Sequence, residues 1–459
     1  MQKNFFKVSS IQFNPSLDKK ENETLNRPLQ KLLIIGYVWP EPNSSAAGTR
    51  MMQLINLFQQ HGWEITFSSP AKLGEHKQNL TELGIKEQNI ELNSTSFDQF
   101  LKSLQPDAVL FDRFMMEEQF GWRVEEHAPQ AIRILNTEDL HSLRACRQHI
   151  VKAELKQNRH VFNMASLALT DKNRLFSEMA ISDIAKREIA SIFRSDTTLM
   201  ISDFEMSLLK EKFQIPENEL FYLPFIYASL GMEKLPEYEV KQHFVSIGNF
   251  RHDPNWDAVL WLKESIWPKI RQQIPNAELN IYGAYPPPKA TALHNPKQGF
   301  LVKGWAEDAF KVIQDARVLL APLRFGAGIK GKLAEAMLNG TPSITTPIGS
   351  EGMYNPDKES WPGMVAETAE EIANQAIALY QNKELWQEKQ TIGFELAEQY
   401  FVNSGANEER AEQFIDGLNK MRLDLDNRRN ENFIGAMLNH HHHKSTKFMA
   451  QWIEAKNSK

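Results

Sequence analysis

The residues best suited to chemistry lie between Ala321 and Gly352, in the run APLRFGAGIKGKLAEAMLNGTPSITTPIGSEG. An apolar strand ends at Leu320 to Leu323, a glycine-rich loop follows, and a helix is expected from about Lys330 to Asn339. Gly326, Gly328 and Gly331 carry no Cβ, so a ligand can approach the backbone closely there. The amides that open a helix point outward with partial positive charge and suit a phosphate. Lys330 and Lys332 add two full charges at the same place. Glu335 follows about one turn into the helix, where a carboxylate can accept hydrogen bonds from sugar hydroxyls. The spacing fits a nucleoside diphosphate with its ribose. The plainer alternative is a glycine turn followed by a solvated lysine face.

Other candidates are scattered. The segment LNTEDLHSLR, Leu135 to Arg144, follows an expected strand and holds Glu138, Asp139, His141 and Arg144. Its two carboxylates either orient a hydroxyl substrate or cap the next helix. Arg50 either meets an anionic group or lies on the surface of its own helix. Trp256, Trp261 and Trp267 read as packing residues. Cys146, the one cysteine, reads as a small core residue and excludes an internal disulfide. The run His440 to His443 lacks an acidic or cysteine shell, so it reads as a surface tract and no metal is expected.

These residues need elements to hold them. Lys31 to Val38, KLLIIGYV, is a continuous apolar run of buried parallel-strand character. The loop WPEPNSSAAG and a helix from about Thr49 to His61 follow, then a strand from Glu64 to Ser68. Asp107 to Phe114, Ile132 to Thr137 and Thr197 to Ser202 read as further strands, and Leu155 to Phe193 as a long helical region. A second series contains HFVSIGNF, a helix over about 255–273, ELNIYG, ARVLLAPL and PSITT. From about Ala366 onward the pattern is helical. The expected organisation is a polar tail over 1–30, an acceptor-side Rossmann-like domain over 31–225 and a linker over 226–242. A nucleotide-sugar-binding Rossmann-like domain over 243–402 and a helical extension over 403–459 complete it. Ligands of such α/β sheets bind beyond the carboxyl ends of the strands.

The stretch from Ala327 to Pro342 resembles the donor-binding segment of retaining GT-B glycosyltransferases of the GT4 family (glycosyl transferases group 1). That family shows a pattern like E-G-F-G-x-x-x-x-E-A-M-x-x-G-x-P-V, matched here at Glu335-Ala336-Met337, Gly340 and Pro342. Its first glutamate falls on Ala327, which offers a sugar hydroxyl no side-chain partner. VSIGNFRHDPNWDAVLWL, NIYGAYP and KGWAED are similar to further donor-domain segments. The resemblance implies an α/β fold of two facing Rossmann-like domains and transfer of a hexose, with retention, from a UDP- or GDP-sugar to a hydroxyl acceptor. It also implies that Glu335 holds the ribose, and that the amides from Ile329 to Lys332, with Gly248 and Arg251, face the diphosphate and sugar. Gly283 and the backbone near Gly304 and Trp305 would flank the base. Gly48, with Arg50 behind it, would lie by the phosphates or acceptor, and His141 would reach the transferred sugar. The family requires no metal or other cofactor.

At 459 residues, with 42% hydrophobic and 24% charged residues, the chain is long enough for two or three ordinary domains. A net charge of -6 with interspersed signs gives no reason to expect nucleic acid as a partner. The polar N-terminus and the absence of a long apolar run point to a cytoplasmic protein. Ser445 to Lys459 places Phe448, Met449, Trp452 and Ile453 at helical spacing, suited to packing or to peripheral contact with the cytoplasmic membrane face. Expected partners are a nucleotide sugar and a glycan, lipid-linked or other hydroxyl acceptor. Two rival readings remain. One is a catalytically silent sugar-nucleotide-binding or scaffolding protein, suggested by Ala327. The other, a nicotinamide-dependent oxidoreductase, lacks a G-x-G-x-x-G fingerprint after either leading strand.

Overall fold

The computed structural model describes residues 30–157, 164–228 and 235–457. The expected polar tail, apart from Gln30, and residues 229–234 of the expected linker lie outside that range. The strands are β1 (Lys31–Ile35), β2 (Glu64–Ser69), β3 (Lys86–Asn89), β4 (Ala108–Asp112), β5 (Ile132–Asn136), β6 (Thr197–Met200) and β7 (Leu220–Tyr222). A second group comprises β8 (Gln242–Ile247), β9 (Leu279–Tyr282), β10 (Phe300–Gly304), β11 (Ala316–Ala321), β12 (Ser343–Thr345) and β13 (Gly363–Val365). They form two sheets, ordered β3-β2-β1-β4-β5-β6-β7 and β10-β9-β8-β11-β12-β13. Every strand pairing within them is parallel.

The apolar runs form buried strands because both faces of each sheet are covered. In β1, Leu33 and Ile35 enter one core while Leu32 and Ile34 enter the other. Likewise Val318 and Leu320 of β11 face one core of the second sheet, and Leu319 and Ala321 face the other. The polar strand β3, KEQN, sits at a sheet edge, where only one neighbour and little apolar burial are needed.

The helices that bear on the site are α1 (Ala46–Gln60), α2 (Phe114–His127), α3 (His141–Gln157), α4 (Asp183–Arg194) and α5 (Asp203–Lys212) on the first sheet. On the second they are α6 (Asp253–Trp261) and α7 (Gly331–Leu338). Ser45 caps α1 by accepting from the Gly48 amide. The α1 helix therefore starts at Ala46, before the expected Thr49, because this cap lies upstream. The single helical region expected over 155–193 is not continuous: within it Asp171 and Ser182 cap two separate helices. β8 begins at Gln242, so the last residue assigned to the linker is already in the sheet.

A long helix, α8 (Lys383–Tyr400), packs on the second sheet; just beyond it Val402 pairs with Tyr227 across a parallel bridge in that sheet's core, before the chain returns to the first. In α9 (Gly405–Leu423), Phe414, Ile415 and Leu418 pack into the first sheet's core. The last helix, α10 (Phe433–Asn457), lies on α2 and α4. His442 of α10 faces the Glu118 carbonyl at 3.0 Å. Phe448, Met449 and Trp452 of the same helix stay exposed. Among the described residues no helix is long and apolar enough to cross a membrane.

Candidate active site

In each sheet the strand order reverses beside its first strand, between β1 and β4 and between β8 and β11. Loops that leave these strand ends diverge and leave a crevice. The two crevices face one another across a cleft of about 630 Å³. Its walls bring together Gly48, His141, Gly248, Arg251, Gly283, Gly326, Ile329, Lys330, Gly331, Lys332 and Glu335 from the sequence-predicted set.

The second-domain wall is built on α7. Its first turn presents backbone amides without an upstream helical turn to receive them. Lys330 is the residue before the helix, and its ammonium donates to the Gly328 carbonyl at 2.7 Å. Lys332 points the other way and donates to Asn255 Oδ1 at 2.7 Å. A Cβ at Gly248 would stand 2.6 Å from both Lys332 Nζ and the Asn255 amide group, so only glycine leaves this cradle intact. Burial pushes both lysines down to about 8, against the pull of Glu351 on Lys330 and of Glu335 on Lys332. The same burial pushes Glu335 up to about 7, against Lys332. Arg324 forks onto Asp257 at 2.7 and 2.8 Å and ties the start of the glycine-rich loop to α6.

Toward one end of the cleft, the guanidinium of Arg251 lies 3.6 Å from the centre of the Tyr285 ring. The Tyr285 hydroxyl donates to the first-domain carboxylate of Glu41 at 2.7 Å. Nearby, Trp305 stacks on the first-domain His76, with ring centres 4.0 Å apart and planes 8° from parallel. Glu41, Tyr285 and Trp305 were absent from the sequence candidates as side chains. A tyrosine two residues past Gly283 was the available signal.

The first-domain wall carries His141, whose Nε2 lies 3.5 Å from Asp139 Oδ1 and whose ring meets Phe114 edge-on. Burial lowers His141 to about 3 despite Asp139, so it is neutral at working pH and acts as a hydrogen-bond partner. Burial alone would raise Asp139, but Arg144 and His141 hold it well below the usual carboxylate range. Arg113 and Glu138 occupy left-handed backbone, at φ 73° and 63°, immediately beyond and two residues beyond the carboxyl ends of β4 and β5. Such strain in non-glycine residues concentrates at functional sites. Burial and the adjacent Asp112 push Glu138 up to about 8, against Arg113 and Arg50. Asp112 and Arg113 were missed because neither stands in a recognisable pattern.

Two sequence assignments change. Arg50 does not reach the cleft; it is fully buried and donates to the carbonyls of Leu223 and Pro224. The neighbouring helix surface expected for it is likewise excluded by that burial. Gly328, at φ 62°, does not line the cleft: it admits the first domain, since a Cβ there would lie 2.8 Å from that of Asp139. A Cβ on Gly331 would meet that of Ala46 at 2.7 Å. Gly48 does line the cleft, where its missing Cβ makes room for the Glu41 carbonyl. Among the described residues no group of three His, Cys, Asp or Glu side chains is placed to hold a metal.

The cleft is thus a concave, lysine-flanked helix start facing a polar wall. Residues 241–382 match the family described as Glycosyl transferases group 1. That match covers the second sheet and its helices and less than half of the chain. A Klebsiella pneumoniae protein, "Uncharacterized 44.6 kDa protein in cps region", is 24% identical over 184 residues, 39% of this chain; the match spans 45% of that protein's length. Among solved structures, Anabaena HepE in complex with UDP and glucose superposes with a TM-score of 0.60 at 11% identity, covering 84% of this chain and 99% of HepE. WaaG, a glycosyltransferase involved in lipopolysaccharide biosynthesis, superposes at 0.55 and 13% identity over 84% of this chain and 99% of its own. The expected α/β GT-B fold, with C-terminal helices, is therefore the observed one.

Protonation of the buried carboxylates has a measurable consequence. Glu138 and Glu205 are raised to about 8, and Glu188 and Glu335 to about 7, chiefly by burial. Each binds a proton in the folded chain where the unfolded carboxyl is ionised. Their contribution to stability is complete below the unfolded value and is lost as pH rises through 7 to 8. His141 and His252 oppose this mainly below about 6.5, buried Lys241 from about 7 upward, and Lys330 and Lys332 mainly above about 8, so the more numerous carboxylates set the sign near neutrality. The ligand-free Tm should fall between about pH 6 and 7.5. A flat or rising Tm by scanning calorimetry in that interval would contradict these protonation states.

Proposed function

We propose that this chain transfers a hexose from a UDP- or GDP-linked sugar to a hydroxyl of a glycan, lipid-linked or other acceptor, with retention at the anomeric carbon. A role in polysaccharide or glycoconjugate biosynthesis belongs to the same reading. The observation that carries it is the start of α7, where helix amides, Lys332 and the buried Glu335 open into one cleft. HepE bound to UDP and glucose, and the relative from a cps region, support the donor class and the pathway.

In this reading Glu335 holds the ribose hydroxyls, and Lys332, Arg251 and the Ile329 to Lys332 amides receive the diphosphate. Gly248 and Gly283 let the nucleotide approach the backbone. Charge that grows on the departing diphosphate is stabilised by groups already in place, so little reorganisation is needed. His141, neutral and fixed by Asp139, faces the transferred sugar. The first domain over 31–225 presents the acceptor, the domain over 243–402 holds the donor, and 403–459 is the helical extension. The nucleotide sugar is the substrate, and no metal or other cofactor takes part. The exposed face of α10 is proposed to touch the cytoplasmic membrane face; co-sedimentation with anionic vesicles, lost on Trp452→Ser with Phe448→Ser, is the expected result.

The decisive experiment is a nucleotide-sugar panel read by turnover, paired with thermal shift. A ligand at about 100 times its Kd should add about 2.7 kcal/mol. Stabilisation by UDP or GDP with release of sugar from one donor supports the enzyme. Stabilisation without release from any donor, under every acceptor condition tried, favours the silent reading, for which Ala327 is the supporting residue.

A further inference from the structure

The glycine-rich loop that precedes α7 is held from the opposite domain. Arg147 of α3 is completely buried. Its Nε donates to the Leu169 carbonyl of its own domain at 2.9 Å. Its Nη1 reaches across the packed boundary between the domains and donates to the Gly326 carbonyl at 2.9 Å. The two terminal nitrogens also fork onto Glu351 at 2.8 and 2.6 Å. Glu351 lies just beyond Thr346–Ser350, the segment that follows β12. Two residues further along the same loop, the Gly328 amide donates to Glu205 Oε1 of α5 at 2.7 Å. Glu205 is itself fully buried and also accepts from the Leu140 amide. One first-domain side chain thus holds the carbonyl at the start of the turn, and another holds the amide at its end.

We infer that Arg147 and Glu205 are positioning residues for the donor site: the first domain sets the shape of the second domain's Gly326–Gly328 turn by gripping its backbone. The inference rests on the proposed transferase reading and deepens it. The turn has no side chain long enough to fix itself, because its members are Gly326, Ala327 and Gly328. Gly328 is also in left-handed backbone, pressed against Asp139. Lys330 binds the Gly328 carbonyl, so a change in that peptide's orientation is transmitted to the ammonium beside the cleft. Neither Arg147 nor Glu205 lines the cleft, so neither touches a ligand bound there. Donor chemistry therefore depends on contact between the domains, and opening of the cleft dismantles the loop's geometry as well as removing the acceptor.

The test compares three full-length single variants, and one double variant built from them, with the wild type. Glu205→Met keeps the volume but removes the acceptor, and Glu205→Gln keeps an oxygen for the Gly328 amide. Arg147→Lys keeps the charge beside Glu351 but loses the fork that also reaches Gly326. Misplacement of reacting groups by about 1 Å commonly costs about 100-fold. Glu205→Met and Arg147→Lys should lower kcat for sugar release by about that factor, with Kd for UDP or GDP within about twofold of wild type. Glu205→Gln should restore kcat to within about fivefold of wild type, against the about 100-fold loss in Glu205→Met. Small-angle scattering should show a larger radius of gyration for a Glu205→Met and Arg147→Lys double variant. Unchanged kcat in both Glu205→Met and Arg147→Lys would overturn the inference. So would loss of kcat in Glu205→Gln equal to that in Glu205→Met. If the wild type turns over no nucleotide sugar, the functional reading fails instead; an unchanged radius of gyration in the double variant would then overturn the clasp separately.

Discussion

Replacing Lys332 with alanine should weaken UDP or GDP binding by about 10- to 100-fold, the range expected when a charge-assisted hydrogen bond to an anion is lost. Lys332 has the geometry for this, because its ammonium already sits over Gly248 beside Asn255 and on the cleft wall. Lys330 ties its ammonium to the backbone of the glycine-rich turn, at the Gly328 carbonyl, whereas Lys332 is held by a side chain. Lys330→Ala should therefore act mainly on turnover and Lys332→Ala mainly on affinity. Glu335→Gln should also reduce affinity, because a neutral amide is a weaker acceptor for two ribose hydroxyls. A protonation signature accompanies the first effect. With Lys332 held near 8 in the free protein, a bound diphosphate favours its charged form and draws in a proton. Titration calorimetry near pH 8 in buffers of different ionisation enthalpy should show net uptake in the wild type and less in Lys332→Ala. Nucleotide affinity should fall as pH rises above about 8, by the same linkage. Equal affinities for the wild type and Lys332→Ala would remove the diphosphate from this position.

The helix start at α7 was legible because all its parts are contiguous: glycines, lysines and a glutamate within ten residues of one another. Continuous apolar runs likewise revealed β1, β4, β5, β8 and β11. The physical reason is the burial of both sheet faces, which leaves no place for polar alternation. What stayed hidden depends on contacts between segments far apart in sequence. Arg147 stands in a charge-mixed helix and resembles a solvated residue, yet it is wholly enclosed between two domains. Gly328 and Gly331 looked like room for a ligand, whereas their missing Cβ atoms make room for Asp139 and Ala46. Tyr285 and Trp305 gain their partners only when the loop containing His76 and the loop containing Glu41 arrive from the first domain. Short or polar strands such as β3 and β13 carry too few apolar residues to announce themselves. The C-terminal helices were recognisable by period, but periodicity says that a face is buried and not which surface buries it. That surface is on the first domain.

Arg50→Ala should produce one of the largest losses of stability available outside the cleft. The Arg50 side chain has no exposed surface, and its two terminal nitrogens donate at 2.5 and 2.6 Å to the carbonyls of Pro224 and Leu223. Those carbonyls follow β7, where the chain turns toward the second domain, so the arginine of α1 joins the first crossover helix to the sheet's last strand. Burial lowers its pKa to about 10, while Glu138, Tyr222 and Tyr227 favour its charged form. Removing the side chain leaves two buried acceptors unsatisfied and a cavity of guanidinium size. Breaking such a buried charged contact costs about 3–5 kcal/mol. For a domain of this size that corresponds to a fall in Tm on the order of 10 °C. Arg50→Lys should recover only part of it, because one ammonium on a shorter reach replaces a fork aimed at two carbonyls. The expected kinetic result is as informative as the thermal one. At a temperature where the variant is still folded, its Kd for UDP should match the wild type, since the arginine touches structure and not ligand. A large loss of nucleotide affinity in folded Arg50→Ala, with Tm unchanged, would return Arg50 to the anion-binding role that its sequence position first suggested.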